Sequence, residues 1–415
     1  MNATEQAPES GPVFAAADAP TSGPTSGPTS APGPAPVRGN SWLPTWRGVA
    51  LVTRIELLRR RPSTKGYIAY GTMLAIIIGL GILVSVLSPE GKDSTPMELV
   101  LILVLGAGLL IGPSLSATSI NGDSSEGVLA PLQMTRLTAG DIGIGKLFAS
   151  WLVSFAVLLT TTPFLIYAFS RSGWHWGEVL TVLGVILLVV LTACAIGLAW
   201  SAIAARAVAS VSLAHLTTGF LVLGSLVLFA FTTPLVAESS TSTNRYLDYE
   251  RMTSDQQDAL DQAYQSGDFT GLDTASLPCI TETYDTSIYH TERTAWMLLI
   301  NPGVLIAETS PLVDPNTWLE DGRAAPGIFA NIHQLVSDAR MGPDATPQTY
   351  DQCANPMGTY SEDEWQQEQA AKGNYPRAPW IGLGVQVGLL LGSMTLVVRR
   401  LRVPYKKLRA GTRVA

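Results

Sequence analysis

Charged side chains are scarce in this 415-residue chain: Asp, Glu, Lys and Arg make up 14% of it, against 47% hydrophobic residues. With a positive mean hydropathy, that excludes a protein solvated mainly by water and describes one solvated mostly by lipid. Histidine and cysteine are rarer still, four and three residues. No Ser/His/Asp or Cys/His constellation stands out, which argues against nucleophilic catalysis. His290, Glu292 and His333 are conceivable metal or acid–base residues, but they lack ligand spacing and read more simply as solvated surface. The N-terminus has no apolar core followed by a cleavage pattern, so the first apolar segment is expected to be the targeting signal.

What is present is a set of long apolar segments. Six are near or above the roughly 20 residues needed to cross a bilayer as helix. They lie near Tyr67–Leu87, Met97–Ala117, Leu147–Phe169, Val179–Ala202, Val211–Leu235 and Pro379–Val398. The net charge of -7 hides a sharp partition. Arg47, Arg54, Arg59, Arg60, Arg61 and Lys65 precede the first segment, and Arg399, Arg400, Arg402, Lys406, Lys407, Arg409 and Arg413 follow the last. The positive-inside rule then places both termini in the cytoplasm, as an even number of spans requires. Arg136, Lys146 and Arg206 fall on the same side; Lys92 and Arg171 fall outside.

Ionisable residues are almost missing from the segments themselves. Glu98 sits at an end, and His215, near the inner face, reads as a hydrogen-bonded helix residue rather than a relay. Transporters driven by protons or voltage carry such groups in the membrane. Their absence argues that driving energy is applied from outside it. Pro113 and Pro163 fall inside the second and third segments, where proline marks a kink.

The expected fold is therefore an all-α polytopic membrane protein, with these divisions. Residues 1–40, rich in Pro, Ser, Thr and Gly, form a disordered cytoplasmic tail. Residues 41–66 form an amphipathic elbow helix in the interface, with Leu51, Ile55 and Leu58 on one face and Arg47, Arg54 and Arg61 on another. The bland alternative is a basic cluster that only fixes topology. Residues 67–235 carry five spans and a polar loop, 119–146. An acidic extracytoplasmic domain, mostly α or mixed, covers 236–378, before the last span, 379–398, and a basic tail, 399–415. Asp255, Asp258 and Asp261 flank Leu260 in one amphipathic helix of that domain, and Ser361 with Glu364 caps another. Cys279 and Cys353 share it, in a compartment that permits disulfides, so a bridge is expected over two free thiols. Ala295–Ala307 is apolar but broken at Asn301-Pro302, and suits a re-entrant or interfacial hairpin.

The polar loop is the most informative stretch. It opens on Asn121-Gly122-Asp123-Ser124-Ser125-Glu126-Gly127 and closes on Asp141-Ile142-Gly143-Ile144-Gly145-Lys146. Leu129 and Leu132, three apart, would form an apolar ridge on a short helix suited to a groove on another protein. Gly140 to Lys146 reads Gly-x-x-x-x-Gly-Lys, close to a phosphate-binding loop. However, Leu147 stands where Ser or Thr would hold magnesium, and a membrane segment follows. Lys146 is expected instead as an interfacial anchor, like Arg54 and Arg61.

Glu126-Gly127-Val128-Leu129 and Gly145-Lys146-Leu147, at this separation, resemble the cytoplasmic loop of type-2 ABC exporter permeases. The basic elbow, the six-segment order, Arg206, the Asn-Pro break and the basic end extend the resemblance over everything from Trp42 except most of the outer domain. Pro131, Val128 and Arg136 depart from that family's usual residues. The resemblance implies a bacterial plasma-membrane permease with no catalytic site, metal or cofactor of its own. ATP and magnesium would sit on a separate ABC ATPase subunit, and the chain would pair with a second permease copy or a paralogue. It implies a coupling helix seated on that subunit, with Asp123 and Glu126 facing its basic residues, Gly127 in the turn, and Leu129 and Leu132 in its groove. No nucleic-acid partner is expected. A receptor or enzyme acting through the outer domain, or a secondary transporter, are the rival readings. A membrane anchor needs one or two helices rather than six, and a secondary transporter would need the missing intramembrane charges.

Overall fold

The computed structural model describes residues 42–60, 64–87, 94–269, 272–311, 327–343, 351–354 and 375–402. The chain divides into two units, Met1–Gly39 and Asn40–Ala415, and only the second falls among these. The expected disordered tail, Arg61, the Ser361–Glu364 cap and the basic residues beyond Arg402 lie outside the described residues.

The protein is mostly helical, and among the described residues five helices are long and apolar enough to cross a membrane: Thr95–Ser125, Ala139–Ser172, Trp176–Ile203, Ala207–Val236 and Pro379–Leu401. It is a multi-pass membrane protein by length and composition. In chain order the elements begin with α1 (Trp46–Arg59), α2 (Thr64–Leu87), α3 (Thr95–Ser116), α4 (Ser119–Ser125) and α5 (Leu129–Met134). Next come α6 (Ala139–Leu158), α7 (Thr162–Ser172), α8 (Trp176–Ile203), α9 (Ala207–Gly219) and α10 (Ser225–Thr232). The expected first span falls on α2.

The bundle core is the packing of α3 and α6 on α8. Met97, Leu101 and Val104 of α3 meet Val182, Ile186 and Val190 of α8 in one buried cluster. Small residues bring these helices close, as is common where lipid supplies no hydrophobic drive between helices. A methyl at Gly112 would stand 3.0 Å from Cys194 Sγ, and one at Gly197 would strike Ser116. Pro113 sits inside α3 without ending it. The candidate span Ala139–Ser172 is broken: a short 3-10 turn, Leu159–Thr161, separates α6 from α7, and Pro163 falls in the first turn of α7, where its missing N–H costs nothing. His215 does make a hydrogen bond, 2.9 Å from Ser114 Oγ.

After α10 the chain leaves the bundle through β1 (Ala237–Leu247), α11 (Ser254–Ser266) and β2 (Cys279–Tyr289). The strands pair antiparallel over their full length, from Ala237 opposite Tyr289 to Leu247 opposite Cys279. The mostly α or mixed domain expected here is mixed, and this ribbon is a strand pair that the sequence does not locate. The expected acidic helix is α11, whose Leu260 and Ala263 are buried while its Asp side chains face out. Leu260 packs with Leu247, Met252, Leu277 and Cys353 in a small core. The Cys279 and Cys353 sulfurs are bonded, at 2.12 Å, with Cα atoms 6.4 Å apart. Cys194 is free and buried.

The apolar run before the last span forms α12 (Trp296–Leu299) and α13 (Pro302–Thr309), broken at Asn301. Asn301 caps α13, accepting from Gly303 N at 2.7 Å, and its Nδ2 donates to Val222 O at 2.6 Å. Val222 lies in a π-helical turn, Phe220–Gly224, so the side-chain amide pairs a carbonyl at the irregular step between α9 and α10. Two further helices, α14 (Ile328–Met341) and α15 (Pro379–Leu401), complete the described chain. Glu98 accepts from Phe329 N at 3.0 Å, which places a carboxylate at the N-terminus of α14.

Candidate functional site

The site grows from the start of α6. Thr138 caps α6 and Asp141 answers with its side chain, a reciprocal capping box: Asp141 N donates to Thr138 Oγ1 at 3.0 Å and Thr138 N to Asp141 Oδ2 at 2.9 Å. The other Asp141 oxygen accepts from Thr45 N, at the N-cap of α1. One buried carboxylate thus serves two helix N-termini and holds α1 alongside α6.

Glycine allows the close approach. A methyl at Gly145 would lie 2.6 Å from Val52 Cβ, and one at Gly140 would meet the Trp42 carbonyl at 2.5 Å. The Gly140-to-Lys146 spacing is therefore a helix-packing stripe in α6, with no strand or phosphate loop there. Helix α1 is rotated accordingly. Val49, Val52 and Glu56 face inward, whereas Leu51, Ile55, Leu58 and Arg54 are exposed.

Two turns into α6, Lys146 is wholly buried. The expectation of an interfacial anchor is corrected: the helix begins at Ala139, eight residues before the expected span, so Lys146 points into protein. Its ammonium pairs with Glu56 of α1 and stands 2.6 Å from Asp123 Oδ2 of α4. It also donates to Ser119 O at 3.1 Å. Arg59 completes the ring, 2.9 Å from Asp123 Oδ1 and 3.2 Å from Glu126 Oε2. Arg60 lies 3.6 Å from Glu56 Oε2 and donates to Ser119 Oγ at 3.3 Å. The bond from Asp123 is the chief reason that the Arg59 guanidinium holds its proton even more tightly than usual. Three acids and three bases balance around a buried centre of Lys146, Glu56 and Asp123, with Arg59 and Glu126 reaching the surface.

Asp123 is consequently buried against this chain's own cations and not presented to a partner, which corrects the expected orientation. Glu126 is exposed but pairs with Arg59. Gly127 has φ +70, and the turn is a Schellman motif: Val128 N donates to Asp123 O and Gly127 N to Ser124 O. Leu129 and Leu132 are half-buried against the bundle core, so the expected outward ridge points inward. Gln133 Nε2 donates to Leu401 O at 3.0 Å, which ties α5 to the end of α15. Ser201 Oγ accepts from Ile120 N at 2.9 Å, tying α4 to α8. What remains exposed is a rim: Ser124, Ser125, Glu126, Gly127 and Val128, then Pro131, Thr135 and Arg136.

Sequence reasoning brought Asp123, Glu126 and Gly127 into one element, and the structure adds Glu56, Arg59, Arg60 and Ser119. The available signal was Thr138-x-x-Asp141, a helix start that moves Lys146 inside the helix.

His290 and His333, both after α10, occupy two separate pairings. His290 bridges Glu238 at 2.8 Å and Glu292 at 2.9 Å. His333, fully buried, meets Glu308 at 2.8 Å and Ser337 Oγ at 3.4 Å, and Glu308 also accepts from Ala378 N at 2.8 Å. Among the described residues no cluster of three or more His, Cys, Asp or Glu is placed to hold a metal. Compared with protein-family models and with curated proteins, the sequence finds no match.

Proposed function

We propose that the chain is the permease subunit of an ATP-driven exporter of the type-2 ABC kind. It would sit in a bacterial plasma membrane with both termini inside and α2 as the sixth span. It performs no chemistry itself. ATP and magnesium bind a separate ATPase subunit, and the α4–α5 loop is where that subunit pushes.

The observation that carries this reading is the build of the loop. Its base is pinned to α1, α6, α8 and α15 by buried ion pairs and hydrogen bonds, while its rim from Ser124 to Val128 is exposed. A force on the rim would pass to four helices as a rigid body rather than dissipate in a flexible loop. The docking contacts are reassigned to the rim, because Asp123, Leu129 and Leu132 are engaged within the chain. A second permease copy belongs to the same reading, because six spans make half a translocation unit.

The test is co-purification with an ATP-hydrolysing subunit encoded beside this chain, followed by hydrolysis in proteoliposomes. Val128→Asp should weaken association about thirtyfold or more by placing a carboxylate in the contact, at about 2 kcal/mol or above. It leaves the ion cluster intact, whereas Glu126→Arg would also repel Arg59. A complex that forms and hydrolyses ATP equally well with Val128→Asp contradicts the assignment.

A further inference from the structure

The break in the third span opens a cavity that the coupling reading does not use. It holds about 160 Å³ and lies between α3, the α6–α7 break and α8. Val104, Phe155, Leu158 and Ile186 line its depth, Leu183 lines its wall, and the Phe169–Trp176 pair, ring centroids 4.1 Å apart, stands at the end opposite Phe155. We propose that this cavity binds one acyl chain of a bilayer phospholipid.

Three observations select that occupant. First, the cavity offers a guest no charge and few polar groups: its lining hydroxyls, Thr161 and Thr162, donate back to Leu158 O and Leu159 O at 2.6 Å, and its one other polar group is the indole N–H of Trp176. A guest with buried polar groups would leave them unpaired, which disfavours anything but hydrocarbon. An apolar cavity of about 150 Å³ lined by Leu, Ile and Phe is known to stay dry and take up benzene, so this volume is enough for several carbons. Second, the cavity is long. From Phe155 to Phe169 a helix rises about 20 Å, which suits a chain rather than a ring. Third, the mouth is formed by Leu159, Ile166 and Trp176, all more than half exposed on membrane-spanning helices. What borders such a mouth is the hydrocarbon of the bilayer, and Trp176, at the start of α8, stands where an indole marks the interface. The chain's methyl end then lies toward Phe155, and its ester end lies by Trp176. The proposal needs only a bilayer around the bundle and not the ATPase.

The experiment uses the full-length protein in phosphatidylcholine vesicles doped with phosphatidylcholine carrying a diazirine at either a shallow or a deep acyl carbon. After photolysis, adducts are mapped by peptide mass spectrometry. The expected result is that the shallow probe labels Phe169 and Trp176, the deep probe labels Phe155 and Leu158, and both exceed labelling of the exposed span 207–236 several-fold. Leu183→Trp, which fills the cavity from its wall, should bring labelling down to the level of that span, while Leu183→Ala should keep or raise it. Labelling that is uniform over all exposed helices, or that shows no depth order in the unmodified protein, overturns the proposal even if Leu183→Trp folds poorly. Insensitivity of labelling to a well-folded Leu183→Trp overturns it as well.

Discussion

Lys146 Nζ stands 2.6 Å from Asp123 Oδ2, and both side chains are buried. This pair joins the third span to the α4–α5 loop, and Glu56 and Arg59 extend it to α1. Taking these charges out of water is costly, and their mutual pairing offsets that cost only while the set is complete. The cluster is better understood as fixing how three elements sit together than as a source of net stability.

That view makes Lys146→Met severe. It strands Glu56 and Asp123 with one cation too few, and should cost about 3–5 kcal/mol. Adding Glu56→Gln restores two acids against two bases and should recover a large part of the loss. Thermal unfolding of the purified protein in detergent reads both. A Lys146→Met protein as stable as the parent would rule out the buried cluster.

Gly127 tests the turn separately. Its φ of +70 is left-handed, and no atom lies within 4 Å of where a Cβ would stand, so the cost of a side chain is purely that of the backbone. Gly127→Ala should lose about 1 kcal/mol, and Gly127→Asn less, by the same unfolding measurement. A loss well beyond this would mean that the Schellman turn carries more than local geometry.

The disulfide has a separate domain of influence. It joins residues 74 apart and packs beside Leu247, Met252, Leu260 and Leu277. Closing so long a loop restricts the unfolded chain, so Cys353→Ser should cost the outer region about 2–5 kcal/mol. Limited proteolysis with and without reductant should show cleavage between β1 and β2 while the spans stay protected. Resistance unchanged by reductant would mean that the small core holds by itself.

Glu308 gives a pH dependence with a definite sign. Burial pushes its carboxyl upward, but the His333 hydrogen bond and the Ala378 N–H together hold it below its ordinary value of 4.5. A carboxyl depressed in the folded state contributes stability above its unfolded pKa and loses it as pH falls through the folded one. The melting temperature of the parent should therefore drop more steeply below pH 4.5 than that of Glu308→Gln. Parallel curves for the two proteins would contradict this.

The spanning segments were legible because a run of some 20 apolar residues has few other uses. Asn301-Pro302 was legible as a break for an equally local reason. The ribbon was not, because β1 reads Ala-Glu-Ser-Ser-Thr-Ser-Thr-Asn-Arg-Tyr-Leu, with no apolar alternation to mark a buried face. Only the Thr and Tyr residues of β2 hint at a strand. Lys146 was misread because the apolar run starts after it, whereas the helix starts at its cap, Thr138. Leu129 and Leu132 were rightly spaced for a ridge, but spacing alone does not say which neighbour the ridge faces.

The central claim is that the Ser124–Val128 rim is the surface on which an ATP-hydrolysing subunit sits. The most direct measurement places a photoreactive amino acid at Val128, and as a control at the exposed Tyr249 beyond β1, in the otherwise unchanged protein expressed with that subunit. Irradiation should give a covalent product between the two subunits from position 128 and none from position 249. A product from 249 alone, or from neither position while the two subunits still co-purify, would contradict the account.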